Sequence, residues 1–152
     1  MSAGEMSQTR LRAWWAAGIW MVVAVGFAVA FFAGGGPGEY ADDRVRIVAG
    51  AVAIAVGYGA FLLAMWVTRA RRGEVVSDER DAEVVARASR ATLIVVLVGV
   101  YALTVGLWET HRAEGVVPVG WMWFLAYGTV IATFVVHSVA TLVVDGRSGG
   151  HG

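Results

Sequence analysis

The chain has 152 residues, of which 58% are hydrophobic and 16% charged, with a formal net charge of zero and no cysteine. So low a charged fraction sits below the quarter or so typical of soluble domains and points to a membrane protein. Zero net charge argues against nucleic acid as a partner, and the lack of cysteine excludes disulfides, thiolate chemistry and cysteine-held metal centres. All twelve basic residues are Arg.

Residues 1–12 are polar, with Arg10 and Arg12 immediately before the first apolar run. That run, 13–33, has no charge and is long enough for about 30 Å of hydrocarbon. A cleaved signal peptide is the competing reading, with Ala28-Val29-Ala30 as its cleavage site. Its apolar core would span only about 7–15 residues. The run here is longer and rich in Trp, so an uncleaved helix is expected. Gly34-Gly35-Gly36-Pro37-Gly38 ends it, because Pro cannot continue the helical ladder. This is no phosphate-cradling loop, since it lacks the Lys-Ser/Thr ending.

The second span is expected over 47–67. It carries two small-residue stripes, Ala49-Ala53-Gly57 and Ala51-Ala55-Gly59, of the kind that lets helices approach closely in lipid. Trp66 stands at its end, where an interfacial ring belongs.

The densest charge cluster follows, at 77–90. Ser77 or Asp78 suits an N-cap, and Asp78, Glu79 and Asp81 fall in a first turn, where the helix dipole favours anions. Glu83 and Arg87 are four apart with the acid first, the favourable order for an ion pair. Val84, Val85 and Ala88 make a narrow apolar stripe. A helix is therefore expected to start near Asp78 and to run without a break into the third span, 91–108, with its charged first turns in the cytoplasm or against the headgroups. The fourth span is expected over 121–144. Trp108, Trp121 and Trp123 flank the connecting loop as an aromatic belt.

Orientation follows from the arginines. With the N-terminus inside, nine lie on the inner side (Arg10, Arg12, Arg69, Arg71, Arg72, Arg80, Arg87, Arg90 and Arg147) and three outside (Arg44, Arg46 and Arg112). The positive-inside rule then puts both termini in the cytoplasm of a cell (inner) membrane.

Within the four spans Asp, Glu and Arg are absent, and His137 is the one side chain with a near-neutral reference pKa. Intramembrane charge usually marks a transport path, so its absence argues against a proton-coupled transporter acting alone. His137 is read first as a structural hydrogen-bonding group and second as polar lining. Glu109, His111 and Glu114 could ligate a metal by type, but their spacing matches no defined motif. No nucleophile–base–acid set and no buried carboxylate pair is present, so no catalytic, cofactor or metal residue is assigned.

Asp78-Glu79-Arg80-Asp81, followed by Arg87-Ala88-Ser89 and Thr92 at the mouth of a span, resembles a family of small four-span membrane proteins known as domain of unknown function 2178. There an acidic-acidic-Arg signature precedes a basic-Ala-Ser step before the third span. The resemblance implies the architecture and no reaction. It draws attention to the motif, in which Asp78, Glu79, Arg80, Arg87 and Ser89 match. Separately, a mixed-sign charge cluster can specify a partner, so Asp78, Glu79, Arg80, Asp81, Arg87 and Ser89 are read as candidate interaction residues.

The expectation is an all-α, integral membrane four-helix bundle in one domain, 1–152, with the third helix extended into the cytoplasm. Its function is expected to be non-enzymatic: helix–helix contacts within the bilayer, as a homo-oligomer or an accessory subunit of a membrane complex. The alternatives are an oligomeric transport or channel subunit, lined by Tyr58, Tyr101, Thr104, His137 and Ser138, or an anchor for a cytoplasmic protein.

Overall fold

The computed structural model describes residues 8–70 and 79–148, with side chains over 9–68 and 81–147. Every regular element among the described residues is a helix, and there is no strand among them. The helices are α1 (Gln8–Phe32), the single turn α2 (Pro37–Tyr40), α3 (Arg44–Ala70), α4 (Glu79–His111) and α5 (Gly120–Ser148). The four long helices are each long and apolar enough to cross a membrane, over Thr9–Phe32, Arg44–Thr68, Asp81–His111 and Gly120–Arg147. The expected spans all lie within these helices except for Ala33, the last residue of the first, which is a turn residue. The expected N-cap residues Ser77 and Asp78 lie outside the described residues.

Helices α1 and α5 form the central pair. Helix α1 packs along α3 and α5, and α5 packs along α1 and α4, so α3 and α4 flank the pair. The buried side of α1 is one stripe at spacings of three and four: Ala13, Ala16, Trp20, Val23, Phe27 and Phe31. Small residues come first and aromatics later, so α1 sits close to its neighbours at one end and is wedged by rings at the other. Its opposite side, with Trp14, Val22, Val25 and Val29, is exposed, as a lipid-facing side should be.

Trp20 is fully buried and carries the middle of the bundle. Its indole stacks on Phe134 of α5, with centroids 4.3 Å apart, and meets the edge of Tyr58 of α3 at 5.1 Å. Among the described residues its Nε1 has no hydrogen-bond partner. Further along, Phe27, Phe31, Phe124 and Tyr127 continue the ring cluster. Lipid tails are as apolar as these rings, so the contacts act by close packing and ring geometry rather than by escape from water. Gly57 and Gly50 of α3 make the approach to α1 feasible. A Cβ at Gly57 would collide with Val23, and one at Gly50 with the Tyr40 hydroxyl.

The turn between α1 and α3 is more than a helix break. Gly35 and Gly36 take φ of 103° and 81°, which favours glycine, and Pro37 then starts α2. This places Tyr40, also fully buried, against Phe31 at 4.8 Å. Gly120, the first residue of α5, lies so close to the Pro37 carbonyl that any side chain there would collide with it. Asp43 caps α3, its Oδ1 accepting from Val45 N at 3.0 Å and Arg46 N at 3.2 Å.

Arg46 reaches back to close the end of α1. Its Nε donates to Ala30 O at 3.0 Å, Nη1 to Gly34 O at 2.9 Å and Nη2 to Phe31 O at 2.6 Å. The last carbonyls of a helix have no intrahelical partner and carry its negative dipole end, so a cation is favoured there twice over. The same guanidinium lies 5.3 Å from the Tyr40 ring centroid. Arg46, which enters the orientation count as an outer-loop charge, is thus a structural part of the α2 end.

Candidate functional site

The charged start of α4 is the first candidate. The helix begins at Glu79. Asp78 lies outside the described residues, as do the side chains of Glu79 and Arg80. Asp81 is half-buried, and Arg87 and Ser89 are exposed. Arg87 Nη2 donates to Glu83 Oε1 at 2.6 Å, the i, i+4 pair expected from the spacing. On the other side of the same turns Val84, Ala88 and Thr92 are buried, while Val85 is exposed. The apolar stripe therefore runs through 84, 88 and 92, and these turns pack against the helix body with their charges turned outward. The structure brings Glu83 and Arg87 together but joins neither to Ser89 through a hydrogen bond.

The second candidate surrounds His137. It lines a crevice of about 170 Å³ near the N-terminal end of α1, to which all four long helices contribute. Arg12, Ala13 and Ala16 come from α1, Phe61 and Met65 from α3, Val85 from α4, and His137, Ser138 and Thr141 from α5. Ser138 and Thr141 are buried. Their hydroxyls donate within their own helix, to Phe134 O at 2.7 Å and His137 O at 2.8 Å. Arg12 Nε donates to Thr68 Oγ1 at 3.3 Å, and Thr68 Oγ1 donates in turn to Met65 O at 3.0 Å. Sequence reasoning found His137 and Ser138 but missed Arg12, Thr68 and Thr141. Arg12 was legible only as a topology signal, because its partner lies 56 residues away.

The other polar residues do not converge. Tyr58 belongs to the ring cluster around Trp20. Tyr101 and Thr104 lie on the exposed side of α4, with Thr104 Oγ1 donating to Val100 O at 2.8 Å. At the α2 end, His111 Nδ1 lies 3.0 Å from both Leu107 O and Thr110 Oγ1. Among the described residues no three His, Cys, Asp or Glu side chains gather where they could hold a metal. Trp121 departs from the expected aromatic belt by turning inward, 5.9 Å from Phe31 and 5.4 Å from Phe124. Trp108 stays exposed, with Arg112 over its ring at 5.1 Å. A second, apolar groove of about 340 Å³ lies between α4 and α5, where Gly99, Gly128 and Ala132 leave room.

Residues 11–140 match the family model described as a predicted membrane protein (DUF2178). The match runs from the first turn of α1 to the last third of α5 and takes in the charged start of α4 and most of the crevice, with Thr9 and Thr141 just outside it. The chain belongs to this family. Comparison with curated proteins and with solved structures gives no match. Membership agrees with four apolar helices in contact with a lipid bilayer and attaches no reaction to them.

Proposed function

We propose that this member of the family is a non-enzymatic membrane protein that works through contacts between helices, as a homo-oligomer or an accessory subunit of a membrane complex. Both termini and the charged start of α4 lie on the cytoplasmic side in this reading, as the arginine distribution favours.

The observation that carries the reading is the division of the two small-residue sides of α3. Gly50 and Gly57 are used within the chain, against Tyr40 and Val23. Ala51, Ala55 and Gly59 face outward, and nothing lies within 4 Å of a Cβ built on Gly59. A smooth stripe turned to lipid suits the close approach of another helix. At the start of α4 the outward charges of Glu83 and Arg87 would set which partner docks, through complementary charge.

Native mass spectrometry of the protein gently extracted from its membrane tests this, beside Ala55→Leu/Gly59→Leu and a Glu79/Arg80 charge reversal. The reading expects a defined oligomer or a co-purifying membrane subunit in the wild type, lost in the α3 variant and weakened in the reversal. A monomer throughout would sink it.

A further inference from the structure

The crevice at the start of α1 combines features that a structural helix junction does not need. Its mouth is cationic, its wall carries hydroxyls and an imidazole, and its deep end is aromatic. Along α1 the order inward is Arg12, Ala13, Ala16 and then Trp20. Along α5 it is Thr141, Ser138 and then Phe134. Trp20 and Phe134 stack on each other, and Phe61 meets Phe134 at 5.4 Å, so the rings close the crevice from within the bundle.

Arg12 supplies the charge at the mouth. Among the described residues no carboxylate lies within ion-pairing distance of it. A long Arg at the end of a span can extend along the helix to reach water, and no ligand is needed to explain that. Here the Arg12 → Thr68 → Met65 chain of hydrogen bonds ties the guanidinium to α3 instead. Only Nε is used in that contact, which leaves the two Nη groups. The Ser138 and Thr141 hydroxyl protons are committed to their own helix. A ligand would therefore meet the planar Nη donors of Arg12, the ring of His137 and the hydroxyl of Thr9, a set that suits an anion with several acceptor oxygens.

Depth adds a second constraint. Arg12 is in the first turn of its span, Thr68 is the last residue of the second, and Thr141 lies six residues before the end of the fourth. The mouth thus sits where hydrocarbon gives way to headgroups. The volume, about 170 Å³, corresponds to roughly five or six waters at about 30 Å³ each. That is room for a phosphate group and its immediate ester substituent.

We propose that this crevice binds the phosphate of an anionic phosphate ester, with Arg12 as the countercharge and His137 as a second donor. The bilayer itself is one source of such a group, as the headgroup of an anionic phospholipid whose tails stay in the membrane. A soluble phosphate ester is the other. The site is built within one chain, so it stands or falls apart from the oligomer or subunit reading above.

The test is native mass spectrometry of the full chain released from phosphatidylcholine nanodiscs containing phosphatidylglycerol, with and without added glycerol 1-phosphate. The wild type is expected to retain one phosphatidylglycerol, or one glycerol 1-phosphate, per chain. Arg12→Gln should reduce that retention by about tenfold. Arg112→Gln, at the opposite end, should leave it unchanged. Displacement of the lipid by glycerol 1-phosphate would identify the soluble source, and persistence of the lipid would identify the membrane source. Should Arg12→Gln fail to fold, as judged by circular dichroism, Arg12→Lys decides the matter. It keeps the charge but loses the fork, and retention should fall between the wild type and background. Wild-type retention in a folded Arg12→Gln protein, equal retention in Arg12→Lys, or no bound phosphate ester in the wild type would overturn the proposal.

Discussion

The two ends of this bundle use arginine in opposite ways. At the α2 end, Arg46 has three backbone carbonyls as partners, Asp43 caps the next helix and Gly120 is pressed against Pro37. At the other end, among the described residues, Arg12 makes one hydrogen bond through Nε, over a crevice. Inside a membrane, backbone polar groups must be satisfied locally, so a tight turn between spans needs a donor for the carbonyls it strands. Arg46 supplies that donor. Arg12 has no carbonyl or carboxylate partner among the described residues and is the countercharge proposed for the crevice. Two residues of one type, each counted simply as a topology charge, thus have different work.

The largest way to break this comparison is to remove what both ends share. Trp20→Ala would delete the stacked ring between α1 and α5 and should destabilise the protein by about 3–5 kcal/mol, as for other buried aromatic truncations. Thermal unfolding in a fixed detergent measures it. A loss as small as that of a surface substitution would mean that the helices are held elsewhere.

Next is the α2 end alone. Arg46→Met keeps much of the apolar stem and strands the carbonyls of Ala30, Phe31 and Gly34. The expected loss is about 2–3 kcal/mol, since bonds to a charged donor are worth more than neutral ones. Limited proteolysis should show the first new cleavage between α1 and α3.

A smaller effect should appear with pH. Burial pushes the Tyr40 phenol above its ordinary value, Tyr127 adds to this, and Arg46 opposes it. The folded protein therefore holds that proton more tightly than the unfolded chain does. Its contribution to stability is fully present below the unfolded value, about 10, and is lost as pH rises beyond it. Melting temperature should fall above about pH 10 in the wild type and fall less in Tyr40→Phe. Parallel curves would remove Tyr40 from the account. Smallest of all, Glu83→Ala removes the exposed pair with Arg87 and should cost only about 0.3–0.5 kcal/mol. A larger loss would mean that the charged start of α4 supports the fold itself.

The legibility of the chain follows the same division. Span length and the absence of intramembrane charge depend on composition, so all four long helices were readable. The Glu83–Arg87 pair was readable because helical spacing alone creates it. Which side of a helix is buried was readable only at the start of α4, where Val84 and Ala88 of the expected stripe are buried. Helix α1 is apolar all round, as a membrane span is, and the stripe from Ala13 to Phe31 differs from its surroundings in size rather than polarity. Helix α2 was hidden inside a glycine-rich segment that reads as a break. Arg46 was missed because its partners are backbone carbonyls 12–16 residues away, which leave no side-chain pattern. The crevice needs residues from both ends of the chain, so only His137 and Ser138, inside one span, could be singled out.

The most direct test of the contrast between the two ends is the thermal stability of Arg46→Gln and Arg12→Gln, measured side by side in the same detergent without added phospholipid. The account predicts that Arg46→Gln melts at least several degrees lower, since about 1 kcal/mol corresponds to roughly 2–4 °C for a chain of this size. Arg12→Gln should melt within about a degree or two of the wild type, losing at most one exchangeable hydrogen bond. Equal losses in the two variants, or a larger loss at Arg12, would contradict the division and make Arg12 a structural residue like its counterpart.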